Sequence, residues 1–532
     1  MAVAGAGVFS MSTARAATGN FTLNVLHIND MHSRVESISA FDSTCAVDAE
    51  AAGECFGGFG RLATKLRERR AELASAGANV LTLDAGDQAQ GSLFYITYKG
   101  KAEVEFMNTI GFDAMALGNH EFDNGPDTLA EFIELAQFPV ISGNTKVADS
   151  EKLAGQLEEL AVLEVGGEKI GILSVLTAET GILSSPGPNV TFQDEIEYLT
   201  EAAARLRADG VNKVLLLSHV GFSRDQEIAA AVEGISAIIG GHSHTLLSNT
   251  VEGAPAYATL VENPAGRAVP IVQAFAYSKY LGDLELEFDA DGYVVTASGD
   301  TVLLDASIIP DAAIEARIAE LAEPIERMKT TPVAEVAADI DGSRETCRAG
   351  ECQMGNAVTD AMLARLDGQD ITIAITNGGG LRASIGAGTA TMGDVLTVLP
   401  FQNTLATMRL SGADIVASLE SGVSAIEEGA GRFPQVSGLR FTVNPAIAPN
   451  EGRVSAVEVR EGDAWVPIDP AKMYGVATNN FMRNGGDGYA LFSTNAQDAY
   501  DYGPGLEEVL AEYLSNNEPY TPVIDGRITK VE

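Results

Sequence analysis

A hexapeptide at residues 118–123, Gly-Asn-His-Glu-Phe-Asp, constrains the fold of this chain more than any other stretch. It follows the short apolar run at 113–117, which predicts a buried strand that ends in a loop. The same pattern recurs along the first half of the chain, where apolar runs at 21–30, 79–84, 213–218 and 235–239 lead into histidine, aspartate or glycine. Polar side chains placed where strands end are typical of α/β enzymes, which build their sites there.

Six histidines lie at or just after the ends of predicted strands: His27, His32, His120, His219, His242 and His244. A single histidine of this kind is most often structural, but a group accompanied by Asp, Asn and Gly indicates a metal site. Imidazole and carboxylate ligands suit Zn²⁺, Mn²⁺ or a similar divalent ion, and the absence of cysteine ligands argues against a closed structural zinc site. Two ions about 3.5–4 Å apart need a bridging carboxylate, and Asp87, after the tight Ala85-Gly86 turn, is the predicted bridge.

The chain has 532 residues, which is too many for one hydrophobic core and predicts two or more domains. Its formal net charge of −40 argues against a protein that coats nucleic acid or binds an anionic membrane. This charge also repels phosphate esters, so bound metal ions and a few arginines would have to capture them. Surface solubility, including adaptation to salt, is the simpler interpretation of the charge. No stretch approaches the ~20 apolar residues of a membrane span, and the polar C-terminus carries no lipid-anchor signal.

Four cysteines fall into two close pairs, Cys45 with Cys55 and Cys347 with Cys352. Their even number and local pairing favour two small-loop disulfides in an oxidising compartment, with four reduced thiols as the alternative. Residues 1–18 are small and apolar and are similar to the end of a signal peptide, with a disordered N-terminus as the alternative. The sequence therefore favours a periplasmic or extracellular protein.

The pattern of predicted elements changes twice along the chain. Residues 270–304 are β-rich, and residues 310–329 carry apolar side chains on one side of a predicted helix that Pro324 kinks. We predict a signal-peptide remnant or disordered N-terminus at 1–19, a first domain at 20–309, a linker helix at 310–332 and a second domain at 333–532. The second domain mixes predicted helices with predicted strands.

Five motifs together resemble those of the calcineurin-like metallophosphoesterases: Asp30-x-His32, Gly86-Asp87 with Gly91-Ser92, the hexapeptide at 118–123, His219, and Gly-His-Ser-His at 241–244. In order and spacing they are similar to the 5′-nucleotidase family, including bacterial periplasmic UDP-sugar hydrolase/5′-nucleotidases, over nearly the whole chain after about residue 20. The resemblance implies an α/β protein: an N-terminal four-layer α/β/β/α metallophosphoesterase sandwich, a linker helix and a C-terminal α+β substrate-binding domain.

The resemblance also assigns roles to single residues. It implies that one ion is held by Asp30, His32, Asp87 and His244, and the other by Asp87, Asn119, His219 and His242. His244 matches a variable position of the family, and its contact could run through water. His120, paired with Asp123, would stabilise charge on the transferring phosphoryl group or assist the leaving oxygen. His27 is interpreted as a structural neighbour of the first ligand strand.

The second domain carries a glycine-rich loop at 377–382, Asn-Gly-Gly-Gly-Leu-Arg, which permits close approach by a ligand. By resemblance the substrate-binding residues are Arg348, Asn377, Arg382, Phe401, Phe481 and Asp487. Phe401 and Phe481 match a pair that stacks on both faces of a nucleobase, at about 1–3 kcal/mol per base. Asp487 matches an acid that contacts the ribose hydroxyls, and arginine suits phosphate because its guanidinium is a planar fork.

These observations predict a secreted phosphohydrolase with two divalent metal ions that releases phosphate from nucleoside 5′-monophosphates. UDP-sugars, nucleoside di- and triphosphates and 2′,3′-cyclic nucleotides are alternative substrates for the same site. The Phe401/Phe481 pair disfavours a sulfur-ester hydrolase of similar fold. A non-catalytic extracellular nucleotide-binding protein is disfavoured because every expected ligand is present. We expect a nucleotide as the partner and no nucleic acid, and the sequence leaves the oligomeric state open.

Overall fold

The structure is a computed structural model that describes residues 21–39, 45, 47–148, 151–401, 403–462, 464–500 and 504–531. The predicted signal-peptide remnant at 1–19 lies outside the described residues. Both predicted cysteine pairs, Cys45–Cys55 and Cys347–Cys352, are disulfide-bonded. Among the described helices, none combines the length and the apolar character needed to cross a membrane.

Two six-stranded sheets form the first half of the chain. Its strands are β1 Phe21–Ile28, β2 Asn79–Asp84, β3 Ala114–Ala116, β4 Val140–Ile141, β5 Thr145–Val147, β6 Leu160–Val165, β7 Glu168–Leu176, β8 Val190–Phe192, β9 Lys213–His219, β10 Ala237–Gly240, β11 Thr259–Glu262, β12 Ala268–Val272, β13 Tyr280–Phe288 and β14 Val294–Leu303. The first six-stranded sheet has the order β14-β13-β1-β2-β3-β4, and the second has the order β11-β12-β10-β9-β7-β6. The remaining strands, β5 and β8, pair in a separate two-stranded sheet. Strands β1 to β4 are parallel, as are β7, β9, β10 and β12.

The longer helices of the first half cover the outer face of each sheet. Eight α-helices are described in this half. They are α1 Val47–Ala52, α2 Gly58–Ser75, α3 Leu93–Tyr98, α4 Lys101–Ile110, α5 Gly125–Leu135, α6 Thr180–Leu183, α7 Glu195–Ala208 and α8 Phe222–Ala231. One apolar core lies between the two sheets. Each sheet also packs on its own helices through a further apolar core. Strand β9 is buried along its whole length, as its continuous apolar run requires of a parallel strand covered on both faces. The predicted four-layer α/β/β/α sandwich is therefore present.

The predicted linker helix is two helices, α9 Ala312–Ala322 and α10 Glu326–Thr330. The break falls at 323–325, where Pro324 has no amide hydrogen to continue the helix and its ring clashes with the preceding turn. The predicted kink is thus a full interruption. Helix α9 packs on the core of the first half through Ile314, Ile318 and Leu321, so it is fixed to the sandwich.

The second half of the chain is an α+β unit, as predicted. Its strands are β15 Pro332–Val336, β16 Ile373–Asn377, β17 Gly388–Thr391, β18 Leu405–Ser411, β19 Pro434–Ser437, β20 Leu439–Val443, β21 Val454–Glu461, β22 Ala464–Pro467, β23 Met473–Asn479, β24 Gln497–Tyr500 and β25 Ile528–Lys530. Its helices are α11 Arg344–Cys347, α12 Gln353–Arg365, α13 Met392–Val398, α14 Gly412–Gly422, α15 Asn480–Arg483, α16 Ala490–Thr494 and α17 Leu506–Asn516. A five-stranded sheet of order β19-β16-β23-β18-β24 carries the loops that face the first half.

Candidate metal centre and substrate cleft

Metal-binding side chains meet at the edge where the parallel strands of both sheets end. The seven predicted ligands are Asp30 and His32 after β1, Asp87 after β2, Asn119 after β3, His219 at the end of β9, and His242 and His244 after β10. The first sheet thus supplies four of them and the second sheet three. The structure brings all seven together, which is the outcome that the strand-end pattern predicts.

One group of ligand atoms forms around Asp30, His32 and His244. The Nε2 atoms of His32 and His244 are 3.0 Å apart, and Asp30 Oδ1 is 3.3 Å from the His244 nitrogen. All three side chains are buried. His244, the variable position of the resemblance, therefore has its imidazole nitrogen directly in the group.

A second group forms around Asp87, His219 and His242. Asp87 Oδ2 is 3.0 Å from His219 Nε2, and it is 3.8 Å from His32 Nε2 in the first group. The Oδ1 atom of Asn119 lies 2.9 Å from His242 Nδ1. Asp87 is thus the carboxylate that reaches both groups, in the position of the predicted bridge.

The backbone at these ligands is strained. Five non-glycine ligands adopt positive φ angles: Asp30 at 51°, His32 at 48°, Asp87 at 57°, His242 at 74° and His244 at 55°. Side chains other than glycine rarely occupy this region, and such strain persists where the surroundings hold the residue for a purpose. The clustering of these angles on one edge of the sandwich marks it as a functional site.

The close approach of two loops requires glycine at positions 86 and 118. A Cβ atom on Gly118 would lie 2.1 Å from Asp87 Oδ1, and one on Gly86 would lie 2.6 Å from the Gly118 nitrogen. Gly86 also has a φ of 94°, which favours glycine. These two glycines allow the Asp87 loop and the hexapeptide loop to meet.

The ligand residues are oriented to accept a cation. His219 Nδ1 donates to the Ala85 carbonyl at 2.7 Å, which leaves Nε2 to face Asp87 and Asp30. Burial lowers the pKa of His219, but the two carboxylates outweigh it and raise the pKa to about 10. This position therefore attracts positive charge, and metal-binding histidines typically donate their other ring nitrogen to a carbonyl in this way. The residues present fit two divalent ions.

Beside the ligands, His120 and Asp123 form a hydrogen-bonded pair. His120 Nδ1 lies 2.6 Å from Asp123 Oδ2, and Ser184 Oγ donates to Asp123 Oδ1 at 2.7 Å. Gln90 Nε2 donates to the same carboxylate at 3.3 Å. Burial lowers the pKa of His120, but the charges of Asp123 and Asp87 outweigh it and raise the pKa above its usual value. The carboxylate of Asp123 thus favours the protonated form of an imidazole that lies next to the metal ligands.

Glu121 of the hexapeptide ties the two ligand loops together. Its buried carboxylate accepts hydrogen bonds from the backbone nitrogens of Gly118 at 2.6 Å, Asp87 at 3.1 Å and Ala89 at 2.9 Å. The loop after β2 and the loop after β3 therefore share one anchor. This side chain sets the spacing between Asp87 and the hexapeptide.

A cleft of about 950 Å³ opens from the metal ligands toward the second half of the chain. Arginines of the second half line it, namely Arg344, Arg348, Arg382 and Arg432. Within the described residues, Arg348 Nε and Arg382 Nη2 are buried and have no hydrogen-bond partner. Buried polar donors without partners call for a ligand or water. In a chain of net charge −40, this concentration of cations favours an anionic ligand.

The other predicted substrate residues also line this cleft. Phe401 lies 5.8 Å from the His120 ring and 5.6 Å from the Arg382 guanidinium, measured to ring centroids. Gly486 makes room for the Phe481 ring, because a Cβ atom there would lie 2.5 Å from it. Asn377 Nδ2 donates to Asp487 Oδ2 at 2.5 Å, which fixes the carboxylate at the cleft wall.

Several residues of this site were not predicted from the sequence. Arg344 lies four positions before Arg348, and this helical spacing could have pointed to it. Glu121 stands in the quoted hexapeptide, but two of its three contacts are with the distant loop after β2. Ser184 and Gln90 carry no local signal, because their partner Asp123 lies far away along the chain. His27 is not among the ligands: its Nε2 lies 2.9 Å from the Tyr257 hydroxyl, as its structural interpretation requires.

Comparisons with known proteins identify the family of this chain. Residues 23–246 match the family described as calcineurin-like phosphoesterase, and residues 328–494 match the 5′-nucleotidase C-terminal domain. The chain is 37% identical to the 5′-nucleotidase of Homo sapiens over 535 residues, which covers 96% of this chain and 91% of that protein. It is 34% identical to the snake venom 5′-nucleotidase of Gloydius brevicauda over 544 residues, which covers 98% of this chain and 91% of that protein.

A solved structure shows the same architecture. The crystal structure of a 5′-nucleotidase precursor from Thermus thermophilus is similar with a TM-score of 0.89 and 38% sequence identity, covering 96% of this chain and 99% of that chain. The predicted family and two-domain α/β fold are confirmed, and the phosphoesterase match implies divalent metal ions. This chain belongs to the 5′-nucleotidase family and is a metal-dependent phosphoester hydrolase.

Proposed function

We propose that this protein hydrolyses nucleoside 5′-monophosphates to nucleosides and phosphate. The observation that carries the proposal is that one cleft contains the ligand groups, the His120–Asp123 pair, buried arginine donors and two phenylalanines. A nucleotide has an anionic phosphate and a flat apolar base, so it uses both kinds of surface. Relatives named 5′-nucleotidase over the whole chain support this choice of substrate.

Two divalent ions would be held by seven side chains in this proposal, with Zn²⁺ or Mn²⁺ as the candidates. The first set is Asp30, His32, Asp87 and His244, and the second is Asp87, Asn119, His219 and His242. When bound, such a pair supplies Lewis acidity and activates the nucleophile in phosphoester hydrolysis.

The remaining residues bind and orient the substrate. Arg348 and Arg382 donate to phosphate oxygens through the guanidinium atoms that lack partners. His120 holds one proton on Nδ1 against Asp123, so Nε2 is the nitrogen available to the phosphoryl group or the leaving oxygen. Water adds to phosphorus, the bond from phosphorus to the nucleoside oxygen breaks, and that oxygen leaves with a proton.

The nucleoside would be recognised by the second half of the chain, residues 333–532. Phe401 and Phe481 offer aromatic faces to the base, and Asp487 offers a carboxylate to the ribose hydroxyls. Residues 20–309 would supply the metal centre, and residues 310–332 would join the two parts. Stacking tolerates several bases, so we expect broad base specificity.

An oxidising compartment, periplasmic or extracellular, is the proposed location. Two disulfides support it, because such bonds are rare in the cytosol. Free-thiol titration of the denatured, unreduced natural protein should find no free thiol. Titration of four thiols would contradict the location.

The test of the proposed function is phosphate release from AMP by chelator-treated protein, before and after Mn²⁺ or Zn²⁺ is restored. We expect phosphate release only when metal is present. The variant His120→Asn should lose phosphate release but still bind AMP. UDP-glucose and a 2′,3′-cyclic nucleotide are measured alongside. Turnover of UDP-glucose or the cyclic nucleotide, but not of AMP, would mean that the same site acts on a different substrate. Binding of AMP without metal-dependent turnover of any of the three would indicate a nucleotide-binding protein.

A further inference from the structure

A short segment between β7 and β8, residues 177–184, contacts the catalytic pair at one end. Ser184 closes this segment, and its side chain is 8% exposed. Its hydroxyl donates to Asp123 Oδ1 at 2.7 Å, on the opposite oxygen from the one that faces His120. Each carboxylate oxygen of Asp123 thus has its own side-chain donor.

This arrangement limits how the Asp123 carboxylate can turn. His120 and Gln90 both contact Oδ2, whereas Ser184 donates to Oδ1. Rotation about the bond between Cβ and Cγ would break the contacts at both oxygens. A carboxylate held at both oxygens holds the imidazole in one orientation with the proton on Nδ1. Ser184 therefore acts on His120 through Asp123.

The same segment contacts the second half of the chain at its other end. Glu179 Oε2 forms an ion pair with Arg432 Nη2 at 2.9 Å across the cleft. Helix α6 of the segment also lies beside the turn at Gly486–Gly488, which contains Asp487. The two halves therefore meet at the piece of chain that supports Asp123.

We propose that residues 177–184 couple the contact between the two halves to the orientation of His120, with Ser184 as a positioning residue. When Arg432 holds Glu179, the segment is fixed and Ser184 reaches Asp123. When the halves separate, the segment loses this support and the imidazole is less well oriented. The enzyme would then be most active when its nucleotide-binding half is in place. This inference rests on the proposed function for its choice of substrate.

The kinetic test compares Ser184→Ala, Glu179→Gln and the double variant as metal-loaded full-length proteins. Ser184→Ala should lower kcat on AMP about tenfold or more and leave KM unchanged, because it removes a hydrogen bond to a charged group. Glu179→Gln should lower kcat less, about two- to fivefold, because the ion pair that it removes is partly exposed. In the double variant Glu179→Gln should add no further loss, because the path through Ser184 is already cut. Losses that multiply would overturn the coupling.

Ser184→Thr and Thr191→Ala are the matched variants. Threonine at 184 keeps the hydroxyl and should restore kcat, whereas an unchanged kcat in Ser184→Ala would overturn the role of Ser184. Thr191 is an exposed residue of β8 outside the cleft, and its replacement should change neither constant. p-Nitrophenyl phosphate has a better leaving group and no nucleoside, so Ser184→Ala should cost less activity on it.

A second readout is independent of turnover. The His120 Nδ1 proton in nitrogen-15-labelled protein should give a sharp, downfield NMR signal that broadens in Ser184→Ala and returns in Ser184→Thr. An unchanged signal in Ser184→Ala would refute the positioning role even if AMP is not the substrate. Failure of the proposed function alone would leave this signal pattern intact.

Discussion

Replacement of Glu121 by glutamine tests whether one buried carboxylate sets the geometry of the metal centre. In the native protein three backbone N–H groups converge on it, at 2.6, 2.9 and 3.1 Å. The glutamine oxygen can accept from two of them, so its amide group must face the third donor. A buried donor left without a partner costs about 1–3 kcal/mol. We expect Glu121→Gln to lower the free energy of unfolding by that amount.

The same substitution should weaken metal binding, because the loop after β2 loses its link to the hexapeptide loop. Loss of an outer contact of this kind typically costs about 10–100-fold in metal affinity. Calorimetric titration of chelator-treated protein with Zn²⁺ or Mn²⁺ measures the metal affinity. Glu68→Gln is the matched control, because Glu68 is exposed. Native affinity in Glu121→Gln would show that the loops find their spacing without this anchor and would refute the reasoning.

Three further predictions concern other parts of the molecule. Phe401→Ala should raise KM for AMP about 5–150-fold through lost stacking and leave KM for ribose 5-phosphate, which has no base, nearly unaffected; equal effects on both would contradict a base contact. Cys347→Ser with Cys352→Ser opens a loop with a sequence separation of 5 and should lower the free energy of unfolding in urea by about 2 kcal/mol, while serine at 352 keeps the helix N-cap. Burial raises the pKa of Glu103 from 4.5 to about 7, so the folded protein binds the extra proton and stability falls as pH rises through that window. Glu103→Gln should remove about 2–3 kcal/mol of the fall between about pH 5 and pH 8, measured by urea unfolding of chelator-treated protein at these two pH values. An unchanged fall would contradict the assignment.

Much of the site follows from local sequence. Asp87, Asn119 and His219 lie where short apolar runs end, and parallel strands bring such ends to one edge. The residues therefore meet as the pattern predicts, while their roles as ligands stay a prediction. Element bounds are less well determined: the strand predicted at 113–117 is only Ala114–Ala116. A strand ends where its pairing with a neighbouring strand ends, and a single sequence does not show that pairing.

Contacts between distant segments could not be predicted. Ser184 and Asp123 are 61 positions apart, and Arg432 and Glu179 are 253 apart. A serine or a surface glutamate has no periodicity or spacing that marks its partner. The left-handed angles at the ligands were also hidden, because they are uncommon for any single non-glycine residue, even though Asp and His adopt them more often than most. Tertiary packing imposes these angles, so they appear only when the two sheets are assembled.

The two sheets each contribute part of one coordination centre, and this makes the centre sensitive to residues that are not ligands. Leu83 of β2 and Leu217 of β9 belong to the apolar core between the sheets. Close-packed interiors transmit small volume changes as shifts of whole elements. A shift of one sheet against the other would move Asp87 relative to His219, and ions differ in the geometry that they accept. We therefore expect hydrophobic packing between the sheets to affect which ion this enzyme prefers.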